Sequence, residues 1–196
     1  MVPYNLRQQL YNGIQSARAS KLLTATNGNF SVCIPGKKEI LITPTSLQYD
    51  LLTSEDIVRI SFDGQVLEGS RSPSSEWRMH VAIYNNLGVM AVLHTHSPYA
   101  TALSVARVNI PVILDEMSIW FNGEIGVADY TKPGTTEVGL SALPFLKSSH
   151  ACLLANHGTL AAGADVQEAL DLSLHLEAIS EIFVISQKAG TPFIIR

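Results

Sequence analysis

Residues 89–106 read VMAVLHTHSPYATALSVA, and this stretch combines a predicted strand, a pair of histidines and a predicted helix. The apolar run over 89–94 predicts a short buried strand, and Pro98, which is tolerated in the first turn of a helix, fits the helix that follows. Side chains two residues apart point to the same face of a strand. His94 and His96 can therefore present their imidazole rings side by side, provided that the extended backbone continues that far.

Hairpins and amphipathic helices flank this stretch. Apolar segments joined by turn residues predict three hairpins: FSVCI (30–34) with EILIT (39–43), IVRISF (57–62) with QVLEG (65–69), and ACLLAN (151–156) with TLAAG (159–163). Helices are predicted over 5–20, 74–87, 135–147, which Pro144 should end or bend, and about 166–188, which Asp165 should cap. Further strands are predicted at PVIL (111–114), EIGVA (124–128) and TPFIIR (191–196). Hairpins mixed with helices indicate a largely antiparallel or mixed sheet covered by helices.

The composition is that of a single globular domain over residues 1–196. Hydrophobic residues make up 46% of the chain, enough for a substantial core, and the formal net charge is −4. The basic residues form no stripe that would favour nucleic acid or an anionic membrane as a partner. No apolar stretch approaches the roughly 18–20 residues of a membrane span, and the start, MVPYNLRQQL, lacks the apolar segment of a secretory signal.

The chain has two cysteines, Cys33 and Cys152, each inside an apolar segment. Their spacing matches no zinc or redox motif. We interpret both as buried free thiols, which indicates a reducing compartment and hence a cytoplasmic location.

A third histidine, His157, lies in the sequence NHG at another junction of strand and turn. Three neutral imidazoles with an open fourth position are what a catalytic zinc site needs, so His94, His96 and His157 are the candidate metal ligands. Glu76, at the start of a predicted helix, could act beside the metal as a fourth ligand or as a base. Simpler interpretations are local hydrogen bonds for the histidines and a favourable helix-dipole contact for the glutamate. We expect His80 to have a packed or supporting role.

Three loops rich in turn residues offer hydrogen-bond donors for an anion. They are TNGNFS (26–31), TPTS (43–46) and SPSSE (72–76), of which the last also precedes a helix N-terminus. Their hydroxyl, amide and backbone N–H groups could together cradle an anion without many lysines. Taken one at a time, each loop is better explained by turn chemistry alone.

The motifs TNGNFS, ITPTS, SPSSEWRMH, HTHSPYATALS and NHG, in this order, resemble those of the class II aldolase/adducin family, over about residues 6–188. The resemblance implies a three-layer α/β/α sandwich with a mainly antiparallel central sheet, and a homotetramer with active sites at subunit contacts. It also implies a metal held by His94, His96 and His157, with Glu76 beside it. The residues that it implies in phosphate binding are Thr26, Gly28, Asn29, Thr45, Ser46, Ser74 and Ser75.

One segment departs from the family pattern. An aldolase of the family has a catalytic tyrosine near LDEMSIW (114–120), where this chain has Asp115 and Glu116. An acidic residue before methionine resembles the methylthioribulose-phosphate dehydratase branch of the family, in which a glutamate is the acid/base. Glu116 is therefore the candidate proton donor, although a carboxylate at a helix start explains it equally well.

The resemblance implies an enzyme whose partner is a small sugar phosphate. We expect a zinc-dependent aldolase that cleaves a ketose 1-phosphate to dihydroxyacetone phosphate and an aldehyde through an enediolate, with Zn²⁺ as Lewis acid and Glu76 as base. Glu116, or a residue of an adjacent subunit, would be the proton donor at the aldehyde oxygen. The alternatives are a methylthioribulose-1-phosphate dehydratase-like lyase and a non-catalytic adducin-like interaction domain.

Overall fold

A computed structural model describes residues 4–195, which form eight strands, six α-helices and one short 3-10 helix. The strands are β1 (Asn29–Cys33), β2 (Glu39–Ile42), β3 (Val58–Ser61), β4 (Val66–Glu68), β5 (Ala91–Thr95), β6 (Val127–Ala128), β7 (Ala151–Leu154) and β8 (Gly158–Gly163). The helices are α1 (Tyr4–Ala19), α2 (Trp77–Asn86), α3 (Pro98–Ala106), α4 (Glu116–Trp120), α5 (Thr136–Ser149) and α6 (Val166–Ala189), and the 3-10 helix spans Ser54–Asp56.

All eight strands join one sheet, in the order β4-β3-β2-β1-β5-β8-β7-β6. Every neighbouring pair is antiparallel except β6 and β7, which run parallel. β5 lies inside the sheet between β1 and β8, and all of its residues are buried. The buried strand predicted before the histidine pair and the mainly antiparallel sheet are both confirmed.

Helices cover both faces of the sheet and make it the middle of three layers. Alternate residues of β5 point to opposite faces, as the twofold period of a strand requires. Leu93 packs in an apolar cluster with α1 and α6, whereas Val92 packs in a second cluster with α2 and α5. A third cluster, which includes Phe121 and Ile179, joins α3, α4 and α6 to β7. The expected α/β/α sandwich is confirmed.

Two predicted strands are wrong. Residues 111–114 and 191–195 form no strand, and Arg196 lies outside the described residues. The two segments are linked by one backbone hydrogen bond, from the N–H of Ile195 to the carbonyl of Val112 at 2.8 Å. An apolar run becomes a strand only where a neighbour offers a ladder of such bonds, and a single bond does not make one.

Other elements differ from the prediction at their ends. The run at 124–128 contributes only the two-residue β6. Helix α2 begins at Trp77 rather than at residue 74, so SPSSE remains a turn that leads into it. Pro144 does not end α5, which continues to Ser149 with the proline on its exposed side.

The cysteines are free, as predicted, but differ in burial. Cys152 is fully buried on β7, whereas Cys33 at the end of β1 is only partly buried. Burial raises the pKa of both thiols, which keeps them protonated and unreactive at neutral pH. Over residues 4–195, no helix combines the length and the apolar character needed to cross a bilayer.

Candidate metal centre and active site

The candidate site lies at one end of the sheet, where three strands meet. Because β5 runs antiparallel to β1 and β8, its end lies beside the starts of both neighbours. His94 is directly opposite Asn29 of β1, and Thr95 is opposite Thr159 of β8. The turn that leads into β8 therefore brings His157 to the two histidines of β5.

The three candidate metal ligands converge in space. The ring centroids of His94 and His157 are 4.6 Å apart, and that of His96 lies 4.8 Å from the first and 5.2 Å from the second. One ring nitrogen from each histidine can be chosen so that all three nitrogens lie within 4.8 Å of one another. His94 is buried and the other two are partly exposed, so the group could hold one ion that a ligand can still reach.

A hydrogen bond fixes the tautomer of His94. Its Nδ1 lies 2.8 Å from the carbonyl oxygen of Thr159, which can only accept, so in the neutral ring Nδ1 carries the proton and Nε2 the lone pair. That Nε2 faces Nε2 of His96 at 2.9 Å and Oε2 of Glu76 at 3.2 Å. A neutral His96 either donates its Nε2 proton to this lone pair or, as the other tautomer, places a second lone pair beside it. In the second case ring lone pairs and a carboxylate oxygen converge on one point, and this donor set fits a divalent ion such as zinc.

Glu76 reaches the same point from the turn before α2. Its Oε2 accepts a hydrogen bond from Nδ2 of Asn29 at 2.7 Å. Its Oε1 is buried and forms no hydrogen bond, although Nε2 of His157 lies 3.2 Å away. Burial opposes the charge on this carboxylate, but the contacts with His157 and His94 outweigh burial and hold the pKa of Glu76 well below its usual range. Glu76 is therefore ionised at neutral pH.

Two histidines of this region, His96 and His80, are neutral. Burial, reinforced by the neighbouring His94 and His157, lowers the pKa of His96 to about 4. A neutral imidazole is the form that binds metal. Burial also lowers the pKa of His80 to about 3, and this ring contacts Asn29 and Ser31 rather than the other histidines. His80 thus has the packed, supporting position that the sequence predicts.

Two glycines allow this close packing. A Cβ on Gly158, which follows His157, would lie 2.4 Å from the carbonyl oxygen of Thr95 and 2.8 Å from Cδ2 of His96. Gly28 has a positive φ of 86°, and a Cβ there would lie 2.6 Å from the carbonyl oxygen of His94. Both turns can therefore approach the end of β5 only because they lack a side chain at these positions.

An open cavity of about 320 Å³ lies beside the histidines. All seven predicted phosphate-binding residues line it, together with Glu76, His96 and His157. Neither lysine nor arginine is among the residues that line this cavity. The seven residues come from three loops far apart in the sequence: Thr26, Gly28, Asn29, Thr45, Ser46, Ser74 and Ser75.

Several residues that line this cavity were not predicted from the sequence. Asn27 and Pro44 lie within the loops already singled out, but Pro133 and Gly134 come from a separate turn before α5. The segment KPGTT (132–136) is a proline–glycine turn followed by a helix start, which is the same kind of signal as SPSSE. It could therefore have been identified by the reasoning applied to the other loops.

Glu116 is not among the residues that the structure brings to this cavity. It is the exposed first residue of α4, a helix that packs against α6 through the stacked rings of Trp120 and His175. Within one chain the proposed proton donor and Glu76 therefore do not share a site.

The protein is a three-layer sandwich with three histidines and a carboxylate at one end of a mainly antiparallel sheet. This arrangement defines a class of candidate metal enzymes, and comparison with known proteins identifies the family within that class. Residues 8–184 match the family model described as the class II aldolase and adducin N-terminal domain. The chain belongs to the class II aldolase/adducin family.

Similar proteins of this family are named as aldolases. The chain is 32% identical to the 5-deoxy-D-ribulose 1-phosphate aldolase of Bacillus thuringiensis serovar kurstaki, over 89% of this chain and 82% of that protein. It is 35% identical to the 5-methylthioribulose-1-phosphate/5-deoxyribulose-1-phosphate aldolase of Rhodospirillum rubrum, over 90% and 79%. A solved L-fuculose 1-phosphate aldolase superposes with a TM-score of 0.93 at 30% identity, covering 100% of this chain and 92% of that one. The chain is an enzyme of the aldolase class, that is, a lyase.

Proposed function

We propose that the chain is a zinc-dependent class II aldolase that cleaves a ketose 1-phosphate to dihydroxyacetone phosphate and an aldehyde. The observation that carries the proposal is the convergence of ring nitrogens from His94, His96 and His157 beside the carboxylate of Glu76. Zinc held by the three histidines would supply the positive charge that stabilises the oxygen anion developing as the carbon–carbon bond breaks.

Glu76 is the proposed base. In the direction of aldol synthesis its carboxylate would remove a proton from the hydroxyl-bearing carbon next to the carbonyl of dihydroxyacetone phosphate, and in cleavage it would return that proton. The ionised state of Glu76 and its position at the cavity wall support this role.

The loop cradle is the proposed phosphate site. Its serine and threonine hydroxyls and its backbone N–H groups are neutral donors, and the turn before α2 adds a helix N-terminus. The side-chain amide of Asn29 is already bonded to Glu76 and His80, so a phosphate contact from this residue would come from its backbone. Tyr49 supports the cradle from behind, because its hydroxyl donates to the carbonyl of Gly28 at 2.8 Å.

The names of the relatives support aldol cleavage of a ketose 1-phosphate and make 5-deoxyribulose and 5-methylthioribulose 1-phosphates the first candidate substrates.

Dehydration of a thio-sugar phosphate is the second candidate function, and Glu116 is the residue that favours it. Because Glu116 lies outside the cavity of its own chain, it would act only at the site of a neighbouring copy. We propose a homotetramer with sites at subunit contacts, which exposed apolar side chains such as Ile119 and Phe193 support.

We further propose a single domain, since the three apolar clusters share one sheet. A cytoplasmic location is proposed from the two free thiols.

The test is a zinc-loaded assay on L-fuculose, 5-deoxyribulose and 5-methylthioribulose 1-phosphates that measures dihydroxyacetone phosphate against loss of water. We expect cleavage of at least one substrate to dihydroxyacetone phosphate. Water loss without cleavage would favour the dehydratase, and no turnover of any of the three, with zinc bound, would contradict the substrate class.

Substitution of one ligand tests the metal assignment. We expect His157→Ala to lose both bound zinc and turnover, whereas His175→Ala, which removes a histidine stacked on Trp120, keeps both. Retention of zinc and activity by His157→Ala would remove His157 from the ligand set.

Substitution of the carboxylate tests the base assignment. Glu76→Gln should keep zinc but block proton exchange into dihydroxyacetone phosphate, and unchanged exchange would exclude Glu76 as the base.

A further inference from the structure

The two carboxylate oxygens of Glu76 have different surroundings, because Asn29 donates a hydrogen bond to Oε2 whereas Oε1 accepts none. We propose that His80 and Asn29 are positioning residues that anchor Oε2 of Glu76 and so fix the rotation of its carboxylate. This inference rests on the proposed function, in which Glu76 is the base.

The orientation of Asn29 follows from the carboxylate. Its amide lies between Glu76 and His80, with one polar atom 2.7 Å from Oε2. An ionised carboxylate can only accept hydrogen bonds, so the Asn29 atom that faces it must be Nδ2, which donates. The amide oxygen Oδ1 therefore faces His80 and needs a donor there.

The orientation of Asn29 in turn fixes the tautomer of His80. Nε2 of His80 lies 2.5 Å from Oδ1 of Asn29, which cannot donate, so Nε2 carries the proton. The ring is fully buried and neutral, so its Nδ1 has a lone pair and accepts from the hydroxyl of Ser31 at 2.6 Å. With the Ser31 proton used in this way, the hydroxyl of Tyr84 donates to Ser31, whose Oγ and carbonyl oxygen lie 2.8 and 3.0 Å away.

These residues form one chain of hydrogen bonds with a single direction, from Tyr84 through Ser31, His80 and Asn29 to Glu76. Each of the four donors is buried, and none is more than 8% exposed. Buried polar groups with every bond satisfied hold one geometry, because each alternative leaves a donor or an acceptor unpaired. The chain therefore fixes Oε2 and with it the rotation of the carboxylate.

Oε1 has no comparable anchor. It is buried without a hydrogen bond, and the ring nitrogen 3.2 Å away belongs to His157. The orientation of the whole carboxylate therefore depends on the bond that Asn29 donates to Oε2. In the proposed proton transfer, the C–H bond of the substrate breaks, its electron pair moves into the carbon–oxygen system of the enediolate, and the proton forms an O–H bond with the carboxylate that these hydrogen bonds hold in place.

Two substitutions of His80 separate this role from simple packing. In His80→Gln the amide nitrogen can occupy the position of Nε2 and donate to Asn29, whereas in His80→Asn the shorter amide reaches only the position of Nδ1. We expect His80→Asn to lower kcat by about 10- to 100-fold, the size of effect seen when supporting contacts of a site are removed, with KM and zinc content nearly unchanged. His80→Gln should restore kcat to within a few-fold of the parent protein.

A readout independent of turnover uses the parent protein alone. Nitrogen-15 NMR of the histidine rings in the zinc-free and zinc-loaded protein should show His80 protonated at Nε2 and bare at Nδ1. The opposite tautomer of His80 would overturn the inference, and this result does not depend on whether the two variants fold. An equal loss of kcat in His80→Asn and His80→Gln would also overturn it, as would an equal loss of bound zinc. If Glu76→Gln abolishes proton exchange while His80→Asn does not affect kcat, the inference fails and the proposed function stands. If Glu76→Gln leaves exchange unchanged, the proposed function itself fails.

Discussion

At the scale of single residues, the glycine after His157 decides how closely the NHG turn can approach β5. A Cβ at position 158 would overlap the carbonyl oxygen of Thr95, a backbone atom that cannot move without shifting the strand, and would also press on the ring of His96. The identity of this residue therefore affects the spacing of the three candidate ligands, although the residue is not itself a candidate ligand.

We predict that Gly158→Ala weakens zinc binding by about 10-fold or more, because the added methyl group separates His157 from His96. Competition with a chelating dye of known zinc affinity measures the change. Gly88→Ala is the matched control, because a Cβ at Gly88 meets nothing within 4 Å. Equal zinc affinity of the two variants would show that the turn does not position the ligand.

Sequence reasoning predicted part of this site for a clear physical reason. The alternation of strand side chains was enough to place His94 and His96 on one face. His157, which is 61 positions after His96, could be added only because the chemistry of a metal needs a third ligand and because the family resemblance supplied one. The bond from Asn29 to Glu76 could not be predicted, since it depends on the register between β1 and β5 and on where α2 begins.

At the scale of elements, the clearest local signal is the start of α6. The carboxylate of Asp165 accepts from the backbone N–H of Glu168 at 2.9 Å, and the Glu168 side chain accepts from the backbone N–H of Ala164. The cap predicted at Asp165 is confirmed. The bond from Glu168 satisfies one of the N–H groups that the first turn of a helix leaves free, and the bond from Ala164 holds the residue before the cap.

We predict that Asp165→Ala destabilises the protein by about 1 kcal/mol, which lowers the melting temperature by about 2–4 °C. Thermal unfolding followed by circular dichroism checks this value. Asp171→Ala is the control, because Asp171 is exposed in the same helix and accepts only from the side chain of Gln167. An equal loss in both variants would mean that the cap contributes nothing specific.

The elements that were predicted correctly carry their own local signals, and the wrong ones lack a partner. The hairpins at 30–43, 57–69 and 151–163 have turn residues that fix which segments pair. The apolar runs at 111–114 and 191–195 resemble strands in composition. However, the apolar side chains of the first run pack against the third cluster, and those of the second are exposed. Pairing is a tertiary property, and apolar composition alone does not report it.

At the scale of the whole molecule, backbone ladders and apolar packing hold together the elements that carry the histidines. The sheet pairs β1, β5 and β8 through backbone ladders, and three apolar clusters fill the space between the layers. Zinc should therefore bind to a folded protein and stabilise it by mass action rather than cause it to fold.

We predict that chelation of zinc leaves the far-ultraviolet circular dichroism spectrum unchanged and lowers the melting temperature by about 5–10 °C relative to protein with free zinc at about 100 times its Kd. Calorimetry across a series of zinc concentrations measures the shift. His94→Ala should show no such dependence on zinc. Loss of the spectrum on chelation would mean that the metal is part of the folding core.

The two edge strands of the sheet affect how the protein behaves at high concentration. An unpaired strand edge invites another chain to add a strand and so begins aggregation. Here the edge strands β4 and β6 have only three and two residues, and Glu68 of β4 is tied to Arg7 and Arg59 by ion pairs. An incoming strand would find few free backbone groups and a fixed charge at the border, so the long inner strands are shielded from edge-to-edge polymerisation.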